Sequence, residues 1–243
     1  AGNSGWWTLQ LGSDRNVLRL MRIPFLAAVA RFTSAPAESA DSEARALPDI
    51  PEIIRYAVAR QVGKPAEAVT EADLRDVTEL DLSGTDIQDL TPLRGCRSLE
   101  LLNLNGTNVQ DLEPLSDLSS LRGLDLRGTK VQDLRPLSAL SSLKVLWVND
   151  TNVEDLRPLS GIRSLEVLGL GDTRVEELGP VSALRSLSLL DLSGTGVANL
   201  KPLSGLMSLQ QLDVSGTDVN ALDPLTSLES LRLLWLADTP VTQ

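Results

Sequence analysis

A 22-residue frame, LxxLxLxGTxVxDLxPLxxLxS, recurs through residues 77–243 and starts at Val77, Leu99, Leu121, Leu143, Leu165, Leu187, Leu209 and Leu231. Those 167 of 243 positions can only adopt a fold that one short unit builds by repetition. In each unit the run LxxLxLx alternates apolar and polar residues, which is the pattern of a short strand. Its second half is punctuated by Gly, Asp and Pro. One strand plus one return loop makes a coil. Leu80, Leu102, Leu124, Leu146, Leu168, Leu190, Leu212 and Leu234 form one inward column, and Ile87, Val109, Val131, Val153, Val175, Val197, Val219 and Val241 form another. No single unit can bury these side chains, whereas stacking in register gives a continuous core, so the expected fold is a solenoid.

Thr occupies the ninth position of every unit from Thr85 to Thr239, where its hydroxyl can satisfy loop backbone groups that the strand leaves open. The residue before it is Gly84, Gly106, Gly128, Gly194 or Gly216, or else Asp150, Asp172 or Asp238. Both types accept the positive φ that a turn at this point requires. On the return side Asp89, Asp111, Asp133 and Asp155 precede Leu-x-Pro. There the carboxylate can accept the N–H two residues on, and Pro presets φ for a 3₁₀ turn.

With these residues in view, the frame resembles the 22-residue leucine-rich repeats of the internalins and related bacterial proteins, with DLxPLxxLxS in place of that family's convex 3₁₀ segment. The resemblance is strong over 77–243 and weaker over 47–76. It departs at the ninth position, where the family usually has Asn. It implies an α/β solenoid, a right-handed superhelix with a concave parallel sheet, 3₁₀ turns on the convex side and a small helical N-terminal cap. It also implies that the curved array holds another protein.

Composition narrows the function. Aromatic residues are only 3% of the chain, which suits thin coils filled by Leu and Val. Residues 77–243 carry thirteen basic and twenty-three acidic groups, most of the net charge of −11, so the array repels phosphate backbones and nucleic acid is an unsuitable partner. The absence of histidine removes Ser-His and Cys-His nucleophile pairs and His-based metal sites. The single cysteine, Cys96, replaces a Leu or Ile of other units and reads as a small core residue.

Four segments are expected: 1–32 unassigned, 33–46 a linker, 47–76 the helical cap, and 77–243 eight repeats with the last incomplete. Trp6, Trp7, Phe25 and Phe32 stand outside the frame. The run from Met21 faintly resembles a signal peptide, but its longest uncharged stretch, Ile23–Ala30, is far short of the roughly 20 residues that cross a bilayer. Membrane insertion is therefore not expected, while a cell-surface or secreted location and a cytoplasmic one both fit. TSAPAESADSEARALP reads as the linker. Asp49 with Glu52, Pro51, and the closing Gly63 bracket a helix with Ile53, Ile54, Ala57, Val58 and Val62 on one face, and a short second turn opens at Thr70 with Asp73 three on. The eighth unit stops at Gln243 with no polar cap over Leu234 and Leu236, as in an excerpt of a longer chain.

No phosphate loop, catalytic set or cofactor motif is present, and the calcium-like Asp150, Asn152, Glu154 lacks the glycine of a calcium loop. Asp191 and Asp213 should meet on adjacent strands about 4.8 Å apart, where solvated acids are the plain expectation and paired acid chemistry the sharper one. The stronger signal is apolar. Positions three, five and seven should face outward from the concave sheet, and in units four to six they read Val145, Trp147, Asn149, then Val167, Gly169, Gly171, then Leu189, Asp191, Ser193. Trp147 is thus expected to stand beside space left by two glycines, as an anchor for a protein partner, with Arg127 from unit three and Leu233 and Trp235 from unit eight on the same surface. The expected function is a non-enzymatic binding module. Alternatives are a sensor or autoinhibitory region of a larger protein, or a structural spacer.

Overall fold

The computed structural model describes residues 6–11, 18–23 and 50–241, and the chain divides into two compact bodies, Ala1–Ser42 and Glu43–Gln243. In the first, strands β1 (Trp6–Leu11) and β2 (Leu18–Ile23) pair antiparallel, with Trp6 opposite Ile23 and Leu11 opposite Leu18. Met21 therefore falls in a strand. Residues 24–49, which hold the linker, the rest of the signal-like run and Asp49, lie outside the described residues.

The second body opens with helix α1 (Glu52–Val62), which Gly63 ends at φ 67°. Pro51 sits at its N-cap, one place before the first turn. Ile54 and Val58 are fully buried, but Ile53 is 37% exposed and Tyr56 52% exposed, so the apolar face is narrower than the sequence pattern suggests. The two isoleucines are adjacent, and a turn of about 100° per residue cannot aim both at one core. Helix α2 (Glu71–Asp76) starts with a capping box: Thr70 Oγ1 accepts from the Asp73 amide, and Asp73 Oδ2 accepts from the Thr70 amide at 2.9 Å and hydroxyl at 2.8 Å. Lys64 Nζ donates to the other Asp73 oxygen at 2.6 Å.

Eight strands follow at 22-residue intervals: β3 (Glu79–Asp81), β4 (Leu101–Asn103), β5 (Gly123–Asp125), β6 (Val145–Trp147), β7 (Val167–Gly169), β8 (Leu189–Asp191), β9 (Gln211–Asp213) and β10 (Leu233–Trp235). All pair parallel in sequential order, and the inward leucines align one to one, Leu80 with Leu102 and onward to Leu212 with Leu234. Each strand is three residues long, yet the hydrogen bonding between coils runs further. Amides at positions two, six and eight of the frame also reach neighbouring coils, as in Lys144 N to Arg122 O at 2.8 Å, Val148 N to Gly169 O at 2.9 Å and Asp150 N to Gly171 O at 2.9 Å. Each return carries a 3₁₀ turn with Pro in its first two positions, from Thr91–Gly95 to Asp223–Leu225.

The core is the set of inward columns. From Leu82 to Val219 nearly all are under 3% exposed, whereas Leu234, Leu236 and Val241 of the last coil are only partly buried. Cys96 is one of the core residues, and burial pushes its thiol up to about 12, which keeps it protonated and unreactive.

The turn chemistry explains the composition of the frame. All eight residues before the threonines have φ between 54° and 67°, so Gly and Asp are there because other side chains resist that conformation. Each Thr hydroxyl donates to the carbonyl three residues back within its own coil, from Thr85 to Leu82 O at 2.6 Å through Thr239 to Leu236 O at 2.8 Å. The column is therefore a stack of local clasps and not a ladder from coil to coil. Asp89, Asp111, Asp133 and Asp155 cap the return turns through the amide two residues on, at 2.8–2.9 Å.

Two predictions follow from this geometry. In coils one, two, three and six the Thr amide also reaches the clasped carbonyl at 3.2–3.3 Å, as Thr129 N does to Leu126 O, but in coils four, five and seven no such bond forms among the described residues. Thr151→Val or Thr173→Val should therefore leave a carbonyl bare and cost about 1–3 kcal/mol, with Thr129→Val costing less. Denaturant midpoints report the difference, and equal midpoints for all three would show that the hydroxyl is not the clasp. The second prediction concerns Asp73. Burial pushes its carboxyl up, but bonds from Lys64 and Thr70 outweigh that and leave it lowered from 3.8. Its contribution to stability is thus present at neutral pH and lost as pH falls through that depressed value. The melting deficit of Asp73→Asn relative to the parent should be largest near pH 7 and shrink in strong acid, and a pH-independent deficit would contradict it.

Candidate functional site

Positions three, five and seven of each coil share the concave face, because successive strand residues alternate between core and surface. Asp125 in coil three is fully buried there and is held by Arg127 two residues on: Nε donates to Oδ1 at 3.0 Å, Nη2 to Oδ2 at 2.8 Å, and the Arg127 amide to Oδ1 at 3.1 Å. A planar guanidinium matched to both carboxylate oxygens is the geometry that compensates a buried charge. The Arg127 guanidinium carbon also lies 6.0 Å from the centre of the Trp147 ring, within the range of a cation–π contact.

Trp147 is in register with Gly169 on the next strand, and its ring is laid over that glycine: a Cβ there would overlap Trp147 Cε3 and Asn149 Oδ1. At Gly171 a Cβ would lie 2.7 Å from Ser193 Oγ, 2.8 Å from Asn149 Nδ2 and 3.1 Å from Asp191 Oδ2. Asn149 bridges coils four and six above it, donating to Asp191 Oδ2 at 2.6 Å, while Asp191 Oδ1 accepts from the Ser193 amide at 3.0 Å and hydroxyl at 2.6 Å. Asn149 Oδ1 is buried without a hydrogen-bond partner among the described residues.

This arrangement corrects three expectations. The space beside Trp147 is not an open recess, because the indole fills it over Gly169 and the Asn149–Asp191–Ser193 bridge closes it over Gly171. An empty gap would forfeit dispersion contacts, and these side chains have the reach to occupy it. Val145 does not face solvent. It is fully buried, in register between Gly123 and Val167, so position in the frame alone does not expose a short side chain on this face. Arg127 is not an open contact residue but the clasp on Asp125. The surface that remains half-exposed is Trp147, Asn149, Val167, Leu189, Leu233 and Trp235. Asp125 was overlooked, although an acid and an arginine two apart on one strand face was a signal for it. Away from this face, Gln132, Asn152, Glu154, Arg157, Arg174 and Glu177 line an open polar cleft of about 570 Å³.

Asp191 and Asp213 do sit in register on adjacent strands. Burial pushes the Asp213 carboxyl up, hydrogen bonds from Ser215 pull it partly back, and the charge of Asp191 adds a smaller upward push. Among the described residues no three acidic or cysteine side chains gather closely enough to hold a metal ion.

Comparison with known proteins agrees with the geometry. The family described as Leucine Rich repeats (2 copies) matches residues 76–117 and again 119–161. Among solved structures, an internalin (inlF) from Listeria monocytogenes is similar with a TM-score of 0.74 and 27% identity over 79% of this chain and 57% of its own. The fold of this chain is that of a leucine-rich repeat solenoid, and it is similar to the internalins. Internalin C2 from the same organism is similar with a TM-score of 0.65 and 26% identity over 76% of this chain and 92% of its own. A leucine-rich repeat protein of Leptospira interrogans shares the fold at 24% identity, with a TM-score of 0.57 over 70% of this chain and 51% of its own. No curated protein matches the sequence. This chain spans a little over half the length of inlF. No helix among the described residues is long and apolar enough to cross a membrane.

The internalin-like array carries one stability cost on its concave face. Because the Asp213 carboxyl is raised, the folded state holds its proton more tightly than the unfolded chain does. The linked stabilisation is present in acid and lost as pH rises through the folded value, so at neutral pH the charged form is a burden. Asp213→Asn should raise the melting temperature at pH 7, and the gain should vanish below about pH 3.8, where Asp213 is neutral in either state. A lower melting temperature at pH 7 would contradict it.

Proposed function

We propose that this array is a non-enzymatic binding module that holds a protein partner on its concave sheet face, with Trp147 as the central anchor. The observation that carries this reading is the indole itself. It is the largest side chain in the middle of the sheet face, half-exposed and seated on Gly169, with half-exposed Val167 on the next strand and Leu189 one strand further. Aromatic groups held in place by packing lose little freedom on binding, which is why they serve as hot spots. Support for a non-catalytic role comes from the acids. Asp191 is engaged by Asn149 and Ser193, Asp125 by Arg127, and the Cys96 thiol is pushed up to about 12 in the core.

The test is a comparison of Trp147→Ala with Gln132→Ala, which lies in the polar cleft away from the sheet face. For any protein partner obtained with the intact chain, Trp147→Ala should weaken binding by about 2 kcal/mol, roughly thirtyfold, and Gln132→Ala should change it little. Since the ring also packs over Gly169, a modest fall in melting temperature is expected for Trp147→Ala, and the titration is done well below it. Equal affinity for both variants and the parent would sink the concave-face reading.

A further inference from the structure

We infer that the occupant of the concave face is a cationic protein surface, one that presents Lys or Arg side chains to coils six to eight. This rests on the concave-face reading above. Across the eight coils the outward positions carry Glu79, Asp81, Asp125, Asp191 and Asp213 but a single basic residue, Arg127, and that one is committed to Asp125. The rim beyond the sheet adds Asp150, Asp172 and Asp238, all fixed by their positive φ. The opposite rim is nearly balanced, with Arg122 paired to Glu100 and Lys144 to Glu166, and Arg232 at its far end. The return side is acidic too, but there the charges are mixed, thirteen acids with nine bases, whereas the face has five acids and one already committed base.

Within that face, Asp213 is in register with Asp191 on one side and Trp235 on the other, so two carboxylates and an indole line up about 4.8 Å apart from strand to strand. Half-exposed Leu189, Gln211 and Leu233 run alongside. A cationic side chain meets both needs of this arrangement: it compensates the two acids, and its apolar stem and charge suit the indole face. The burial that raises the Asp213 carboxyl acts in the same sense, because an arriving cation would offset the cost of that charge. A second copy of the chain is disfavoured as occupant, since it brings the same acidic face and a net charge of −11, and a nucleic acid is repelled for the same reason. What remains is a different protein with a basic surface.

The experiment pans a random linear peptide library on the immobilised full chain, then titrates the enriched peptides against the parent, Asp213→Asn, Trp147→Ala, Gln132→Ala and Glu154→Gln. Enriched clones should be at least about twofold richer in Lys and Arg than the starting library. Their binding should weaken roughly tenfold with Asp213→Asn and further in high salt, and should be untouched by Gln132→Ala or Glu154→Gln. Neutral or acidic clones indifferent to Asp213→Asn would overturn the inference. If those clones still lost binding with Trp147→Ala, the concave-face reading would stand alone. Clones weakened as much by Glu154→Gln as by Asp213→Asn would show diffuse charge attraction and also overturn it. Binding unchanged in every variant, self-association of the chain, or no enriched clone at all would count against both.

Discussion

Every feature of this protein depends on one constraint: a 22-residue coil has more apolar side chains than it can bury alone. Seven or eight inward residues per coil reach nearly complete burial only because the coil above and the coil below cover them. Register follows from that need, since a slip of one residue would turn each leucine column outward. The three-residue strands would be weak in isolation, but amides at positions two, six and eight extend the bonding between coils well past them. The frame then needs a sharp corner after the strand. The positive-φ residue makes the corner, and the Thr clasp satisfies the carbonyl that the corner exposes. At the N-terminal end the capping box, Lys64 and α1 close the first coil with the same economy of local bonds.

The period made most of the array legible in advance. Strand positions, the inward columns, the positive-φ corners and the Asp caps are properties of the frame, and each copy is evidence for the others. The candidate surface was less legible because it lies where the copies differ. Period two says which face Val145 and Gly169 occupy, but not that an indole will be laid over a bare glycine, or that Asn149 will reach across a whole coil to Asp191. Arg127 showed as a basic residue on the surface, whereas its role as the partner of a fully buried Asp125 depends on side-chain reach. Ile53 was misplaced for a related reason: apolar character alone does not aim a side chain at the core.

The two glycines of coil five shape the middle of the sheet face. Their missing side chains let Trp147 and the Asn149–Asp191–Ser193 bridge settle inward, so that the centre of the face is a set of groups already held in position. Preorganisation of that kind lowers the ordering cost of binding. On one side of this centre the acid Asp125 is compensated, and on the other Asp213 keeps a charge that burial makes expensive. A solenoid with a continuous core can bear such a local cost, which is how a repeat scaffold can retain an unfavourable charge on its sheet face.

The repeat as the governing constraint is tested most directly by removing part of it. Excision of residues 165–186 takes out one full period and rejoins coil four to coil six in frame. The account predicts a chain that still folds cooperatively, with a lower melting temperature than the parent because one pair of stacked interfaces has become one. Excision of half a period, residues 165–175, removes strand β7 and joins the return of coil four to the return of coil five, and it should abolish cooperative melting of the array. Loss of folding on removal of the full period, or similar melting curves for the two excisions, would contradict the claim that stacking in 22-residue register holds this protein together.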